Sequence, residues 1–170
     1  MTDVLQRLAQ LLRDEGGLIA DAVVDSRITD APRHGPLAAS GPRAAADPDS
    51  YELLVESIRE GYLLHYARGR VLAPAEPDLA LLAGDQLYAL GLARLAELGD
   101  TEAVGVLADV IALCAQAQAA SASDLAEAVW DAGSVAVGWG TSPEFDRAAE
   151  LARRGDPGAA EALRAAARPA

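Results

Sequence analysis

The chain has 170 residues, with 26 acidic and 14 basic side chains and a net charge of -12 at pH 7. This charge argues against nucleic-acid binding through the overall field and against attachment to anionic membranes, since both need clustered Lys and Arg. The length predicts a single domain spanning residues 1–170. Only 4% of the residues are aromatic and 51% are apolar, and the abundance of Ala and Leu predicts an all-α fold.

Cysteine usage and the N-terminal sequence both indicate a cytoplasmic protein. Cys114 is the only cysteine, so neither an intrachain disulfide nor a multi-cysteine metal site can form. The N-terminus carries Arg7 and Asp14 where a signal peptide has an uncharged apolar run. Charged residues such as Asp85 and Asp109 interrupt the most hydrophobic stretches, so we expect no membrane span.

The first 50 residues divide into a helix and a loop. Apolar side chains recur on one helical face from Val4 to Leu12, and the pair Gly16-Gly17 then weakens the helix. Residues 30–50 are rich in Pro and Gly and show no strand periodicity, which predicts a long loop.

Two longer helices are predicted between residues 50 and 98. The first begins at a cap on Asp49 or Ser50 and turns an apolar stripe inward, leaving Glu56, Arg59 and Glu60 on its exposed face. The second helix runs from about Asp78 to Leu98 and is nearly apolar on all sides. We therefore expect this third helix of the chain to be central in the bundle.

Two polar residues on these helices are candidates for function. Asp85 lies in the middle of the most apolar helix, where an unpaired buried charge would be costly, so we expect it to have partners or to face a cavity. His65 lies close to the apolar stripe of the preceding helix. A histidine there is either a satisfied core residue or one that faces a ligand.

Capping residues predict further helices in the second half of the chain. Asp100 and Ser123 begin a fourth and a fifth helix, and proline at the first helical position marks two short helices after Ser142 and Asp156. The expected fold is an all-α bundle of six or seven helices.

No catalytic residue and no cofactor are predicted, since the chain has no nucleophile-His-Asp pattern and no phosphate-binding loop. Asp124, Glu127 and Asp131 lie at i, i+3 and i+7 on the fifth helix, so they are the candidates for holding Mg²⁺ against a diphosphate. A solvated acidic face near a helix N-terminus explains the same spacing, because the helix dipole favours carboxylates there.

Two segments carry a resemblance to a known family. Residues 82–90 read Leu-Ala-Gly-Asp-Gln-Leu-Tyr-Ala-Leu, and residues 63–68 read Leu-Leu-His-Tyr-Ala-Arg. They resemble the Leu-Ala-Gly-Asp-Tyr-Leu and Leu-Ile-His-Asp-Asp segments of the trans-polyprenyl diphosphate synthases. The similarity covers about residues 51–120 and implies an all-helical, truncated isoprenoid-synthase fold.

The departures from that family fall on its metal-binding motifs. Tyr66 and Ala67 replace the first Asp-rich motif, residues 115–118 read Ala-Gln-Ala-Gln in place of Glu-Gly-Glu, and the second Asp-rich motif is not found. The chain therefore resembles the non-catalytic small subunit, or component one, of heteromeric heptaprenyl and hexaprenyl diphosphate synthases. This resemblance implies a catalytic synthase subunit as partner, an influence on product chain length, and an apolar tunnel for an isoprenoid chain.

The segments compared with the family supply the candidate ligand-binding residues, which are His65, Asp85, Gln86, Tyr88, Gln116 and Gln118. Two other classes of function remain open. One is a helical homo-oligomeric adaptor with no small-molecule role, and the other is an independent enzyme that uses the carboxylates of the fifth helix. Apolar stripes on five helices exceed what one small bundle needs, which favours a homodimer or another oligomer.

Overall fold

The computed structural model describes residues 3–24 and 31–169, and nearly all the regular structure in these ranges is helical. The all-α prediction is confirmed. An isolated antiparallel bridge joins Val23 to Leu72. The helices are α1 (Val4–Glu15), α2 (Gly17–Asp21), α3 (His34–Ala39), α4 (Pro48–Tyr66), α5 (Pro77–Glu97), α6 (Thr101–Ala119), α7 (Ser123–Trp139), α8 (Pro143–Arg153) and α9 (Ala159–Ala166), with a 3-10 helix at Pro42–Ala44.

The central helix of the bundle is α7. Helices α3, α6, α8 and α9 and the 3-10 helix all pack against it, and every residue from Ala132 to Gly138 is buried. Its sequence explains this position, because four of the seven residues from Ala132 to Gly138 are Ala or Gly, which lets neighbouring backbones approach from several sides. Trp130 is the largest fully buried side chain in the described residues and packs against the rings of His34 and Tyr62.

The expectation that the helix near residues 78–98 is central is wrong. Helix α5 packs against α4 and α6 but leaves its outer side open, where Leu81 is 45% and Leu82 66% exposed. Only 28% of its most apolar 18-residue window is buried. A high Leu content shows that a helix has apolar surface, but it does not show that other elements of the same chain cover that surface. The small residues of α7, by contrast, permit close packing on all sides of the helix.

The expectation of a long loop over residues 30–50 is also wrong for the described part, residues 31–50. This stretch contains α3, the 3-10 helix and the start of α4. Proline accounts for the difference. Pro36 lies in the first turn of α3, while Pro42 and Pro48 begin their helices, and an N-terminal proline removes only an N–H that has no intrahelical partner.

Several predicted helix ends are confirmed. Helix α1 ends before Gly16, Asp100 caps α6 by accepting from the Ala103 N–H at 2.9 Å, and Ser142 caps α8. The cap of α4 is Asp47 rather than Asp49 or Ser50. The bundle has more than the expected six or seven helices, because α2 and α3 are only five and six residues long and give little periodic signal.

A second, smaller core holds α1 against the rest of the bundle. Leu5, Leu8 and Leu12 of α1 are buried in it together with Leu72 and Leu87. The apolar face predicted for the first helix is therefore confirmed.

Two helices, α5 and α6, are long and apolar enough to cross a membrane by length and composition, a property that core helices of soluble proteins share. The absence of a membrane span therefore stays a prediction.

The close contact between α3 and α7 gives a test of the fold. A Cβ added at Gly138 would lie 2.5 Å from the Ala38 carbonyl oxygen, whereas one added at Gly105, inside α6, would meet nothing within 4 Å. We expect Gly138→Ala to lower the free energy of unfolding by about 1–3 kcal/mol through overpacking. The matched control Gly105→Ala should raise it by about 1 kcal/mol. Urea denaturation measures both, and equal stability of the two variants would contradict the packing described for α7.

Candidate functional site

Helix α4 separates two groups of polar and aromatic side chains. Its residues Leu54, Ile58 and Gly61 face α5, where a Cβ on Gly91 would meet Ile58 and one on Gly61 would meet Tyr88. At 100° per residue, Glu56, Arg59, Glu60 and Leu63 fall on the opposite side of α4. The side of α4 that faces α5 forms an aromatic cluster with that helix. The opposite side borders a polar cavity near α3 and α7.

The aromatic cluster brings together three of the candidate residues. The rings of His65 and Tyr88 stack with centroids 5.3 Å apart and an interplanar angle of 2°. This stacking depends on Gly84, since a Cβ there would lie 2.6 Å from His65 Cδ2. His65 Nε2 lies 3.1 Å from Asp85 Oδ1, at the end of the cluster that faces solvent.

Asp85 has the expected partner, since its Oδ1 lies 3.1 Å from His65 Nε2, but the expectation that it is buried is wrong, because its side chain is 69% exposed. It lies on the open side of α5 and reaches back only to His65. A polar contact with this exposure contributes little to stability. Gln86 is also exposed, and it lines an apolar groove of about 380 Å³ with Leu18 and Leu82.

The two candidate glutamines of α6 lie in different places. Gln118 joins the aromatic cluster, where its Nε2 donates to the Tyr62 hydroxyl at 2.6 Å, and burial raises the pKa of Tyr62. Gln116 donates instead to the carbonyl oxygens of Ala152 and Arg153 at the end of α8. The Ala152 carbonyl oxygen also accepts from the Gly155 N–H at 3.0 Å, so Gln116 reinforces the end of α8 and does not belong to the cluster.

The thiol of Cys114 is not available as a nucleophile. It is fully buried, its Sγ lies 3.6 Å from the Ala126 carbonyl oxygen, and burial raises its pKa to about 12. The thiolate, which is the reactive form, is therefore absent near neutral pH.

The three acidic residues considered for Mg²⁺ each pair with an arginine. Asp124 pairs with Arg164 at 3.0 Å and Glu127 with Arg59 at 2.8 Å. Asp131 pairs with Arg33 at 2.5 Å. Among residues 3–24 and 31–169, no group of three His, Cys, Asp or Glu side chains is placed to hold a metal ion.

The largest departure from the sequence interpretation is a buried ionic triad of Glu56, Glu60 and Arg70. Glu60 Oε1 accepts from the backbone N–H groups of Arg70 at 2.7 Å, Val71 at 2.7 Å and Leu72 at 3.1 Å. Glu60 Oε2 lies 3.2 Å from Arg70 Nε. The Glu60 carboxylate therefore accepts hydrogen bonds from three consecutive backbone N–H groups in the turn that follows α4.

Glu56 completes the triad from one helical turn earlier. Its Oε2 lies 2.7 Å from Arg70 Nη1, and its Oε1 accepts from the backbone N–H of Gly35 in α3 at 2.7 Å. Both carboxylates have no solvent exposure, so their assignment to an exposed face is wrong. The signal that could have found them is the i, i+4 spacing of two Glu on a helix that is followed by Arg70, because buried charges need a counter-ion.

The polar cavity adjoins this triad. It has a volume of about 360 Å³, and Arg33, His34, Arg59 and Arg70 are part of its lining. The His34 side chain is buried, with its Nδ1 3.3 Å from Ser134 Oγ and 3.9 Å from Asp131 Oδ1. Burial, and to a smaller extent the positive charges of Arg59, Arg33 and Arg70, lower the pKa of His34 to about 3.

No protein-family model matches the chain, and neither a curated protein nor a solved structure matches it. The relationship to polyprenyl diphosphate synthases therefore rests on the sequence segments and stays a proposal.

The low pKa of His34 predicts a pH dependence of stability. The folded protein keeps His34 neutral, while the unfolded chain takes up a proton near pH 6.5, so stability is lost as the pH falls from about 6.5 towards 3. In His34→Gln this contribution is absent. We expect the difference in unfolding free energy between wild type and variant to change by about 1.4 kcal/mol per pH unit between pH 6 and 4. Urea denaturation across this range checks it, and parallel stability curves would contradict it.

Proposed function

We propose that this protein is a non-catalytic, cytoplasmic subunit that docks on a catalytic polyprenyl diphosphate synthase through α5. The observation that carries the proposal is the α5 outer face, which we define as Leu81, Leu82, Ala89, Ala93 and Ala96. All five residues are exposed. The proposal rests on this face together with the resemblance of residues 51–120 to the small subunits of heteromeric synthases.

The α5 outer face has the composition of a protein interface. Between Leu79 and Ala93, Asp85 is the only charged residue, in a chain whose net charge is -12. Depletion of charge at the centre of an exposed patch is what distinguishes protein interfaces from ordinary surface. Contiguous exposed apolar surface on a helix marks an interaction site.

Helix α6, which packs against α5, is also poor in charge. From Ala103 to Ala119 its only charged residue is Asp109, and Gly105, Ala108 and Ala112 are exposed. Small side chains allow a partner helix to approach closely, so α5 and α6 together offer a face for helix packing.

The apolar groove beside α5 supports an isoprenoid chain as ligand. Leu18, Leu79 and Leu82 contribute to its lining, and Leu82 also belongs to the α5 outer face. A volume of about 380 Å³ falls at the lower end of the range for small-molecule sites, roughly 300–1,000 Å³. A chain elongated at the partner's active site would reach this groove along α5, which gives the subunit a means to influence product length.

The proposal assigns condensation to the partner. Tyr66 is the last residue of α4 and Ala67 follows it, at the positions where the synthases have the carboxylates that hold Mg²⁺ and the allylic diphosphate. A phenol and a methyl group cannot replace those carboxylates.

The alternative is a homo-oligomeric adaptor with no small-molecule role. The same α5 outer face favours it, because an isologous dimer brings the same charge-poor patch of two copies together. The synthase-subunit and adaptor proposals differ in whether a catalytic synthase subunit displaces the second copy of the chain from the α5 outer face.

Co-expression with the catalytic polyprenyl diphosphate synthase of the same organism tests the proposed function. We expect a stable complex by light scattering and a change in product chain length when isopentenyl diphosphate and an allylic primer are supplied. Leu82→Arg should weaken the complex by about tenfold or more, because it places a charge at the centre of the interface. The matched control Ala165→Arg, at an exposed position of α9, should leave the complex unchanged.

Three outcomes would contradict the proposal. The first is Mg²⁺-dependent condensation by the isolated chain. The second is a homodimer that persists with the synthase present and leaves its products unchanged, which would support the adaptor. The third is flotation of the isolated chain with liposomes and loss of flotation in Leu82→Arg, which would assign the face to lipid.

A further inference from the structure

Asp85 lies at the centre of the α5 outer face, which the proposed function assigns to the synthase subunit. At 100° per residue, its helical position falls between those of Leu81 and Leu82. Its neighbours one turn before and after on the same side, Leu81 and Ala89, are exposed and carry no charge. A partner that covers this face therefore also covers a carboxylate whose side chain is 69% exposed in the isolated chain.

The protein itself supplies no complete counter-charge for that carboxylate. Asp85 Oδ1 lies 3.1 Å from His65 Nε2, but this nitrogen is buried and has no hydrogen-bond partner. The His65 ring is stacked on Tyr88 and lies so close to Gly84 that a Cβ there would be 2.6 Å from Cδ2. The packing holds the ring in this orientation, so His65 is not free to turn and complete the contact.

Exposed carboxylates on the next two helices are paired differently. Asp109 of α6 pairs with Arg153 at 2.7 Å, and Asp124 of α7 pairs with Arg164 at 3.0 Å. For Asp85, the described residues 3–24 and 31–169 place a histidine at ion-pair distance instead. Burying a carboxylate without a hydrogen-bonded counter-charge is strongly unfavourable. Occupation of the α5 outer face therefore depends on what the partner brings to Asp85.

A second copy of the chain is a poor partner by this criterion. In an isologous dimer the same patch meets itself, so the contact encloses two Asp85 carboxylates, and the Leu and Ala residues of the α5 outer face offer them no cation. Like charges enclosed in one contact disfavour it. A partner that places Arg or Lys opposite Asp85 gains a charge-assisted hydrogen bond instead.

We propose that Asp85 is the specificity-determining residue of the α5 outer face, selecting a partner surface with an arginine or lysine inside an apolar patch and disfavouring self-association. The inference rests on the proposed docking through this face and specifies the chemistry of the docked subunit. The Leu and Ala residues supply the apolar contact, while Asp85 supplies the difference in affinity between one apolar partner and another.

Mixing two forms of the chain tests the inference without the synthase. Asp85→Lys presents the same apolar face with a cation at its centre, and the exposure of position 85 makes the substitution compatible with folding. We expect wild type and Asp85→Lys to associate with each other about tenfold or more tightly than either associates with itself. High salt should reduce the difference. Light scattering across a dilution series measures all three associations.

The matched control is Asp124→Lys, which makes the same change of charge at a side chain that is 94% exposed on α7. Mixed with wild type, it should give no gain over self-association. The inference is overturned if Asp85→Lys gives no gain, or if Asp124→Lys gives an equal one, since net charge alone would then explain the result.

The complex with the synthase subunit gives the second readout. Asp85→Asn removes the charge with little change of shape and should weaken the complex by about tenfold or more, whereas Asp124→Asn should bind as the wild type does. Equal affinity of wild type and Asp85→Asn would overturn the inference and leave the proposed docking intact. Failure of the wild type to bind the synthase would overturn the docking, and the mixing experiment would still decide the role of Asp85.

Discussion

The buried triad of Glu56, Glu60 and Arg70 is the constraint on which the arrangement of the bundle depends. Two carboxylates without solvent exposure share one guanidinium and four backbone N–H groups. Charges removed from water in this way are tolerated only when nearly every donor and acceptor is satisfied, and loss of one partner typically costs about 3–5 kcal/mol. The triad therefore fixes the positions of all the elements that contribute to it.

Those elements come from three distant parts of the chain. Glu56 ties α4 to the start of α3 through Gly35, and Glu60 fixes the turn at residues 70–72. That turn continues into the bridge between Leu72 and Val23, against which α1 packs in the smaller core. The same turn places Arg70 at the wall of the polar cavity, so one electrostatic cluster supports both the packing of the N-terminal helices and the wall of this cavity.

Sequence patterns predicted the elements whose signals are local. Periodicity and caps located α1, α5, α6 and α8 closely, and the stacking of His65 on Tyr88 involves two candidate residues of the matched segments. Patterns failed where burial depends on distant partners. Glu56 and Glu60 looked exposed because their counter-ion, Arg70, is fourteen and ten residues away, respectively. Helix α5 looked central because its composition does not reveal which side lacks a neighbour.

Native-state hydrogen exchange at the amides of Arg70, Val71 and Leu72 tests the role of the triad most directly. These three residues lie outside the helices, yet their N–H groups donate to the buried Glu60 Oε1. We predict that they exchange only through global unfolding, with exchange free energies within about 1 kcal/mol of those of Val129 and Val137 in α7. Exchange of these amides at the rate of a surface loop, while the α7 amides stay protected, would show that the triad opens independently and would contradict the account.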